Sequence, residues 1–227
     1  MFRLAIFDFN GTVIDDEPAW EEAHMVVFRK HNIDPGGVHH KPGIGIANNW
    51  IIFKQQFPEL ADITLETLEE ETFQAYMDEL KKKGEIRNGF ESFWSSLKRK
   101  QMPIVLATSL DRDILVQILP YFPGLEDKFE VIVTGDEVDE KKPAPDIFLR
   151  VLERFNSATP EIVREEECVV FEDSTAGVQA ALSANMHVIH MPSKEFVEES
   201  AAKVKPDLVA DDFTDERIID FVLGGED

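Results

Sequence analysis

Leu4-Ala5-Ile6-Phe7-Asp8-Phe9-Asn10-Gly11-Thr12 drives an apolar run straight into an acid and then into a turn-prone Asn-Gly pair. The run predicts a buried strand that stops at Asp8 and reverses over Asn10-Gly11. Similar short apolar runs return much later, at residues 103–107, 130–133, 168–171, 187–190 and 207–210. Helical periodicity fills the gaps, over 90–100, 111–119, 145–155, 175–184, 194–204 and 214–223. Strands alternating with helices predict a doubly wound, Rossmann-like α/β core around a parallel sheet. In such sheets ligands gather at the carboxyl ends of the strands.

Between the first strand and the second the rhythm changes. Trp20, Ala23, His24, Val27, Phe28 and His31 recur at helical spacing, and Trp50 to Phe57 and Leu65 to Leu80 suggest two more helices. No convincing strand occurs there. The expected division is a discontinuous core, residues 1–14 and 88–227, with an inserted α-helical domain at 15–87. The last four residues, Gly224 to Asp227, read as a frayed tail.

The 227 residues are 43% hydrophobic, enough for an ordinary globular core. Basic residues number 23 against 45 acidic, a net charge of −22, which disfavours nucleic acid or an anionic membrane as partner. Any anionic substrate then requires positive charge supplied locally, by a metal ion and one or two lysines. Cys168 is the sole cysteine and lies in an apolar run, so it reads as packing and as a sign of a reducing compartment. The first residues lack the apolar core of a secretory leader, and no apolar run nears the ~20 residues that span a bilayer. The expected location is cytoplasmic.

Four polar clusters each follow an apolar strand: Asp8 to Thr12 with Asp15, Thr108-Ser109, Lys141-Lys142-Pro143, and Glu172-Asp173. Singly, each has a commonplace explanation as a helix cap, a turn or a surface charge. A carboxylate, a hydroxyl, a lysine and a carboxylate pair at four such places together form a reactive constellation.

DFNGTVID at Asp8 to Asp15 resembles the first motif of the haloacid dehalogenase-like hydrolases, an aspartate, any residue, aspartate-glycine-threonine, two residues and a final aspartate. Thr108 resembles the second, Lys142 in KKPAPDIF the third, and Glu172-Asp173 in VVFEDSTAGVQAA the fourth. Their order and the position of the insertion are similar to the subfamily with an inserted helical cap, in the branch of β-phosphoglucomutase and phosphoglycolate phosphatase. The resemblance implies a phosphomonoester hydrolase in which the Asp8 carboxylate attacks phosphorus to form an aspartyl phosphate. It implies Mg²⁺ as cofactor, held by Asp8, the backbone carbonyl of Asn10 and the Glu172-Asp173 region, with Asp173 the expected direct ligand. Lys142 would supply point charge, Thr108 a hydroxyl, and backbone N–H groups near Gly11 and Ser109 further donors to the phosphoryl oxygens. Asp15 is expected to brace the loop. The expected partner is a small phosphorylated metabolite, handled by a monomer or a homodimer.

One position departs from the pattern. Asn10 stands where the family's phosphatases carry the aspartate that serves as general acid and base, and an amide has no titratable proton near neutral pH. Its carbonyl still suits a metal, so proton transfer is what changes. The insertion is expected to choose the substrate through residues 42–50, with Asn48 and His24 as candidate contacts. His39, His40 and Lys41 are weighed beside them. That loop lacks the arginine that β-phosphoglucomutases place there, which favours a phosphatase over a sugar-phosphate mutase. Lys41 and Lys54 keep open a phosphonate hydrolase working through a Schiff base. A non-catalytic phosphoryl-binding module is the alternative outside enzymes.

Overall fold

Each of the apolar runs becomes a strand in the computed structural model, which describes residues 1–41, 45–192 and 205–224. Six of them, β1 (Leu4–Phe7), β4 (Ile104–Ala107), β5 (Val131–Val133), β6 (Cys168–Glu172), β7 (His187–His190) and β8 (Leu208–Val209), form one sheet. Its order is β5-β4-β1-β6-β7-β8 with every pair parallel, so the direction of winding switches at β1. Phe7 is in register with both Leu106 and Phe171. The central strands therefore end level, and Asp8, Thr108 and Glu172 share one edge of the sheet at its switch point, where open α/β sheets bind ligands.

Both faces of this sheet are covered. Leu4 and Ile6 point to the side carrying α6 (Asp146–Ala158) and α7 (Thr175–Ser183), where Phe148, Val151 and Val178 pack. Phe7 points the other way and stacks on Phe171 with ring centres 4.4 Å apart. Phe90 and Phe93 of α4 (Phe90–Arg99), together with Phe129 and Phe213, close around that stack. Burying one such ring contributes about 1.5–3 kcal/mol. The cluster thus clamps the two residues that immediately precede Asp8 and Glu172. Cys168 is buried in β6, and burial pushes its thiol up to about 12, which leaves it inert.

The chain divides into two compact units, Met1–Ile14 with Ile86–Asp227, and Asp15–Glu85. The second contains α1 (Glu17–Lys30), α2 (Ile46–Gln56) and α3 (Leu65–Lys83). Phe28, Trp50 and Phe53 lie at its centre with ring separations of 5.2–5.3 Å, and the Trp50 indole N–H donates to Thr72 Oγ1 at 2.7 Å. Thr64 caps α3 by accepting from Thr67 N. Where the sequence suggested no strand, the two chain crossings pair as a ribbon of two-residue strands, β2 (Ile14–Asp15) and β3 (Glu85–Ile86). Two residues are too few to show an alternating pattern.

Beyond these lie α5 (Arg112–Ile118) and α8 (Glu216–Leu223). The helix expected at 194–204, residues 42–44 of the expected substrate loop, and 225–227 of the tail lie outside the described residues. Among the described residues no helix is long and apolar enough to cross a membrane.

Candidate active site

The sheet's ladder runs one residue past the strands: Asp8 N donates to Phe171 O and Thr108 N to Val133 O, each at 3.0 Å. Both side chains therefore start from fixed backbone at the sheet edge. Lys142 comes from the loop between β5 and α6, next to a cis Lys142–Pro143 bond. Its Nζ lies 2.5 Å from Asp8 Oδ1 and 2.5 Å from Glu172 Oε1, with the three side chains 7%, 9% and 1% exposed. Burial would lower the Lys142 pKa, but the Asp8 and Glu172 charges outweigh it and hold the ammonium well above its ordinary range. The lysine is therefore a permanent cation at neutral pH.

Glu172, expected among the metal ligands, has both oxygens engaged by protein. Oε1 takes Lys142, and Oε2 accepts from Ser174 N at 2.9 Å and Ser174 Oγ at 3.0 Å. Ser174 also caps α7 by accepting from Gly177 N. Gly177 is required here, since a Cβ on it would sit 1.8 Å from Glu172 Oε1. Glu172 is thus placed to orient the lysine.

Asp173 faces the other side of the cluster, against the loop after β1. Gly11 adopts φ +68°, and a Cβ there would lie 2.3 Å from Asp173 Oδ2. Only glycine allows both that backbone and that approach. Thr12 Oγ1 lies 3.4 Å from Asp173 Oδ1, while Thr12, Val13 and Ile14 N–H groups converge on Phe9 O. The loop therefore brings the Asp173 carboxylate beside the Asn10–Gly11 peptide. Thr108 is buried and its hydroxyl accepts from Leu110 N at 3.1 Å, which leaves the hydroxyl proton to donate elsewhere. Ser109 is exposed beside it.

Among the described residues no three His, Cys, Asp or Glu side chains come together as a metal-binding group. Mg²⁺ is satisfied differently, by one or two carboxylates, a carbonyl and retained water. Asp8, Asp173 and the Asn10 carbonyl are hard oxygen donors of that kind, and the carboxylates of the cluster outnumber its lysine. The residues fit Mg²⁺.

Other expected site residues belong to the second unit. Asn48 is exposed in the first turn of α2. His24, expected near substrate, is 1% exposed, donates Nδ1–H to Trp20 O at 2.9 Å and stacks on His40. Burial lowers its pKa to about 4, so the ring is neutral near pH 7. His40 is also buried, held between Glu17 at 2.9 Å and Glu21 at 2.7 Å. Lys54 Nζ donates to the carbonyls of Leu60, Ala61 and Ile63. Asp15, expected as the brace, is exposed. The buried acid is Asp16, which accepts from the Trp20 indole at 3.0 Å and the Tyr76 hydroxyl at 2.7 Å.

Two further residues at the edge of the sheet escaped the sequence reading. Arg87 donates to Gly11 O and, at 2.6 Å, to Asp211 O. His190 Nε2 donates to Asp173 O at 2.9 Å. His190 had a signal, since it ends an apolar run as Glu172 does; the isolated Arg87 had none.

Comparison with known proteins agrees with this architecture. A profile of the haloacid dehalogenase-like hydrolases matches residues 2–185. A phosphorylated carbohydrates phosphatase of Thermotoga maritima is 32% identical over 90% of this chain and 95% of its own. The fructose-1-phosphate phosphatase YqaB of Escherichia coli is 30% identical over 81% of this chain and 93% of its own. A solved hydrolase of the same group from Entamoeba histolytica superposes with a TM-score of 0.76 at 25% identity, covering 98% of this chain and 100% of that one. With the four strand-end clusters gathered at one switch point and a family match over most of its length, the chain belongs to the haloacid dehalogenase-like hydrolases.

Proposed function

We propose that this protein is a phosphatase that hydrolyses a small phosphorylated metabolite of the sugar-phosphate class, with Asp8 as nucleophile. The observation that carries the reading is the buried Asp8–Lys142–Glu172 cluster, which holds a carboxylate oriented at the sheet's switch point. The names of the Thermotoga and Escherichia relatives, both phosphatases of phosphorylated sugars, support the substrate class.

In this reading an Asp8 oxygen bonds to phosphorus as the ester oxygen leaves with its electron pair, giving an aspartyl phosphate. Water then breaks that bond, releasing phosphate and restoring Asp8. Lys142 offsets the charge of the phosphoryl group and keeps Asp8 in its attacking position, and Glu172 keeps Lys142 there. Thr108 Oγ–H and the N–H groups of Gly11 and Ser109 donate to the phosphoryl oxygens. Asp8, Asp173 and the Asn10 carbonyl would hold Mg²⁺, which when bound neutralises phosphoryl charge and orients the group. The unit at Asp15–Glu85 would serve as the substrate-selecting cap, with Asn48 a candidate contact.

Asn10 sets the rate. Its amide cannot protonate a leaving alkoxide, so turnover of alkyl phosphates is expected to be slow. The same amide favours a second reading, a module that binds phosphoryl groups without hydrolysing them. The test is phosphate release from sugar phosphates with Mg²⁺, run on this chain, Asp8→Ala and Asn10→Asp, with intact mass to exclude deamidation. Asn10→Asp should raise turnover of alkyl phosphates about 10²–10⁴-fold, the usual worth of acid–base catalysis, and that of activated aryl phosphates much less. Asp8→Ala should abolish both. Activity surviving in Asp8→Ala removes the proposed nucleophile, and an Asn10→Asp chain that releases no phosphate supports the binding module.

A further inference from the structure

The Gly11 and Asp173 loops touch at the limit of close packing, so something must hold their backbones in place. Asp173 Oδ2 occupies the space that a Cβ on Gly11 would fill. Glycine imposes little on its own conformation, and here it adopts φ +68°. A small rotation of either loop would move the Gly11 backbone away from the Asp173 carboxylate.

The end of β7 supplies a bracket. His190 is 1% exposed and in register with Glu172, and its Nε2–H donates to Asp173 O at 2.9 Å. Met191 N donates to Glu172 O at 2.7 Å, so this segment grips two successive carbonyls of the acidic pair. His190 O is held in turn by Ala210 N at 3.0 Å. One residue beyond Met191, Pro192 O lies 3.5 Å from Arg87 Nη2. Arg87 Nη1 donates to Gly11 O, Nη2 to Asp211 O, and the Arg87 backbone N–H to Val13 O at 2.9 Å. One planar guanidinium thereby links the loop after Asp8 to the same strand end that holds Asp173. The fork of donors that makes this link has no equivalent in lysine.

We propose that Arg87 and His190 act together as positioning residues, fixing the Gly11 and Asp173 carbonyls so that the Asn10 carbonyl and the Asp173 carboxylate converge on one cation. The inference rests on the Mg²⁺ reading above, and it assigns a task to two side chains that touch neither phosphate nor metal. Removing either donor takes one hydrogen bond from a loop carbonyl and loosens the hold on that loop.

The experiment is isothermal titration of Mg²⁺ into the unsubstituted chain and into Arg87→Met, His190→Leu, the double variant, Arg87→Lys and His190→Gln. Partners that orient metal ligands are typically worth about 10–100-fold in affinity, so each loss variant should weaken Mg²⁺ by at least ~10-fold. The double variant should lose clearly less than the product of the singles, because both act through one bracket. His190→Gln, whose amide can place a donor near the Nε2 position, should recover most of the affinity, whereas Arg87→Lys should not. Unfolding midpoints taken without metal separate this from a merely structural role, which would lower the midpoint and leave the affinity of the folded chain unchanged. Affinity within about two-fold of the unsubstituted chain in Arg87→Met and His190→Leu overturns the proposal. Strict multiplicativity in the double variant overturns the pairing. If the unsubstituted chain binds no Mg²⁺, the metal reading itself falls and this inference falls with it.

Discussion

Lys142→Met removes a buried cation from between two carboxylates, and its consequences follow from the geometry. Nζ lies 2.5 Å from both Asp8 Oδ1 and Glu172 Oε1, and none of the three side chains exceeds 9% exposure. Methionine fills similar volume, so the loss is electrostatic rather than a cavity. Breaking a buried ion pair by removing one partner typically costs about 3–5 kcal/mol, because the other charge is left in a poor solvent. For a unit of this size that corresponds to a fall of roughly 6–20 °C in unfolding midpoint. The sign with pH is decisive. In the unsubstituted chain the Lys142 pKa is raised, so its contribution is fully present below the ordinary lysine value of 10.5 and constant from pH 5 to 8. In the variant one carboxylate is expected to hold its proton to higher pH than in the unfolded chain. The variant's deficit should therefore widen as pH rises from 5 to 8. Urea unfolding at pH 5 and pH 8 measures it. Adding Glu172→Gln to Lys142→Met should recover part of the loss at pH 8 by removing one of the stranded charges. A Lys142→Met chain as stable as the unsubstituted one at pH 8, or a deficit independent of pH, refutes the argument that this cluster is held by compensated charge.

Two other perturbations test different parts of the molecule. Gly177→Ala places a methyl where Glu172 Oε1 now sits, 1.8 Å from the new Cβ, so the carboxylate must leave Lys142. Turnover should fall by about 10-fold or more, as when a residue orienting a catalytic group is displaced, while circular dichroism stays helical; kinetics matching the unsubstituted chain would remove Glu172 from its orienting role. In the second unit, burial opposes the charge on His40, but Glu17 and Glu21 outweigh it and raise its pKa above the ordinary 6.5. A raised pKa stabilises below pH ~6.5 and loses that effect as pH rises through the folded value. His24, with its pKa lowered to about 4, works the opposite way, since its buried neutral ring costs stability as pH falls below about 6.5. Replacing His40 by Gln should thus flatten the decline in unfolding midpoint between pH 6 and pH 8, and an unchanged slope would show that the clamp contributes nothing.

How far the sequence reached depends on the range of the forces involved. Alternation of apolar runs with helical periodicity is local and survives in the linear chain, which is why six strands, the winding of the core and the helical character of the insertion were legible. Placement of chemistry at strand ends was legible for the same reason: an acid, a threonine, a lysine and an acid pair each interrupt an apolar pattern where a parallel sheet must end. The linear chain carried no information about which side of an interrupted strand a partner would reach. It gave Glu172 and Asp173 as neighbours, yet folding sends Glu172 to Lys142 and Ser174 and lays Asp173 against Gly11. It gave His24 and Lys54 as polar groups on helices, and only packing decided that one is a buried neutral ring and the other a cap on three carbonyls. Arg87 is 76 residues from the carbonyl it holds and His190 is 17 from its own. Such contacts are written in no local pattern, because they exist only once parallel strands have brought distant loops to the same edge.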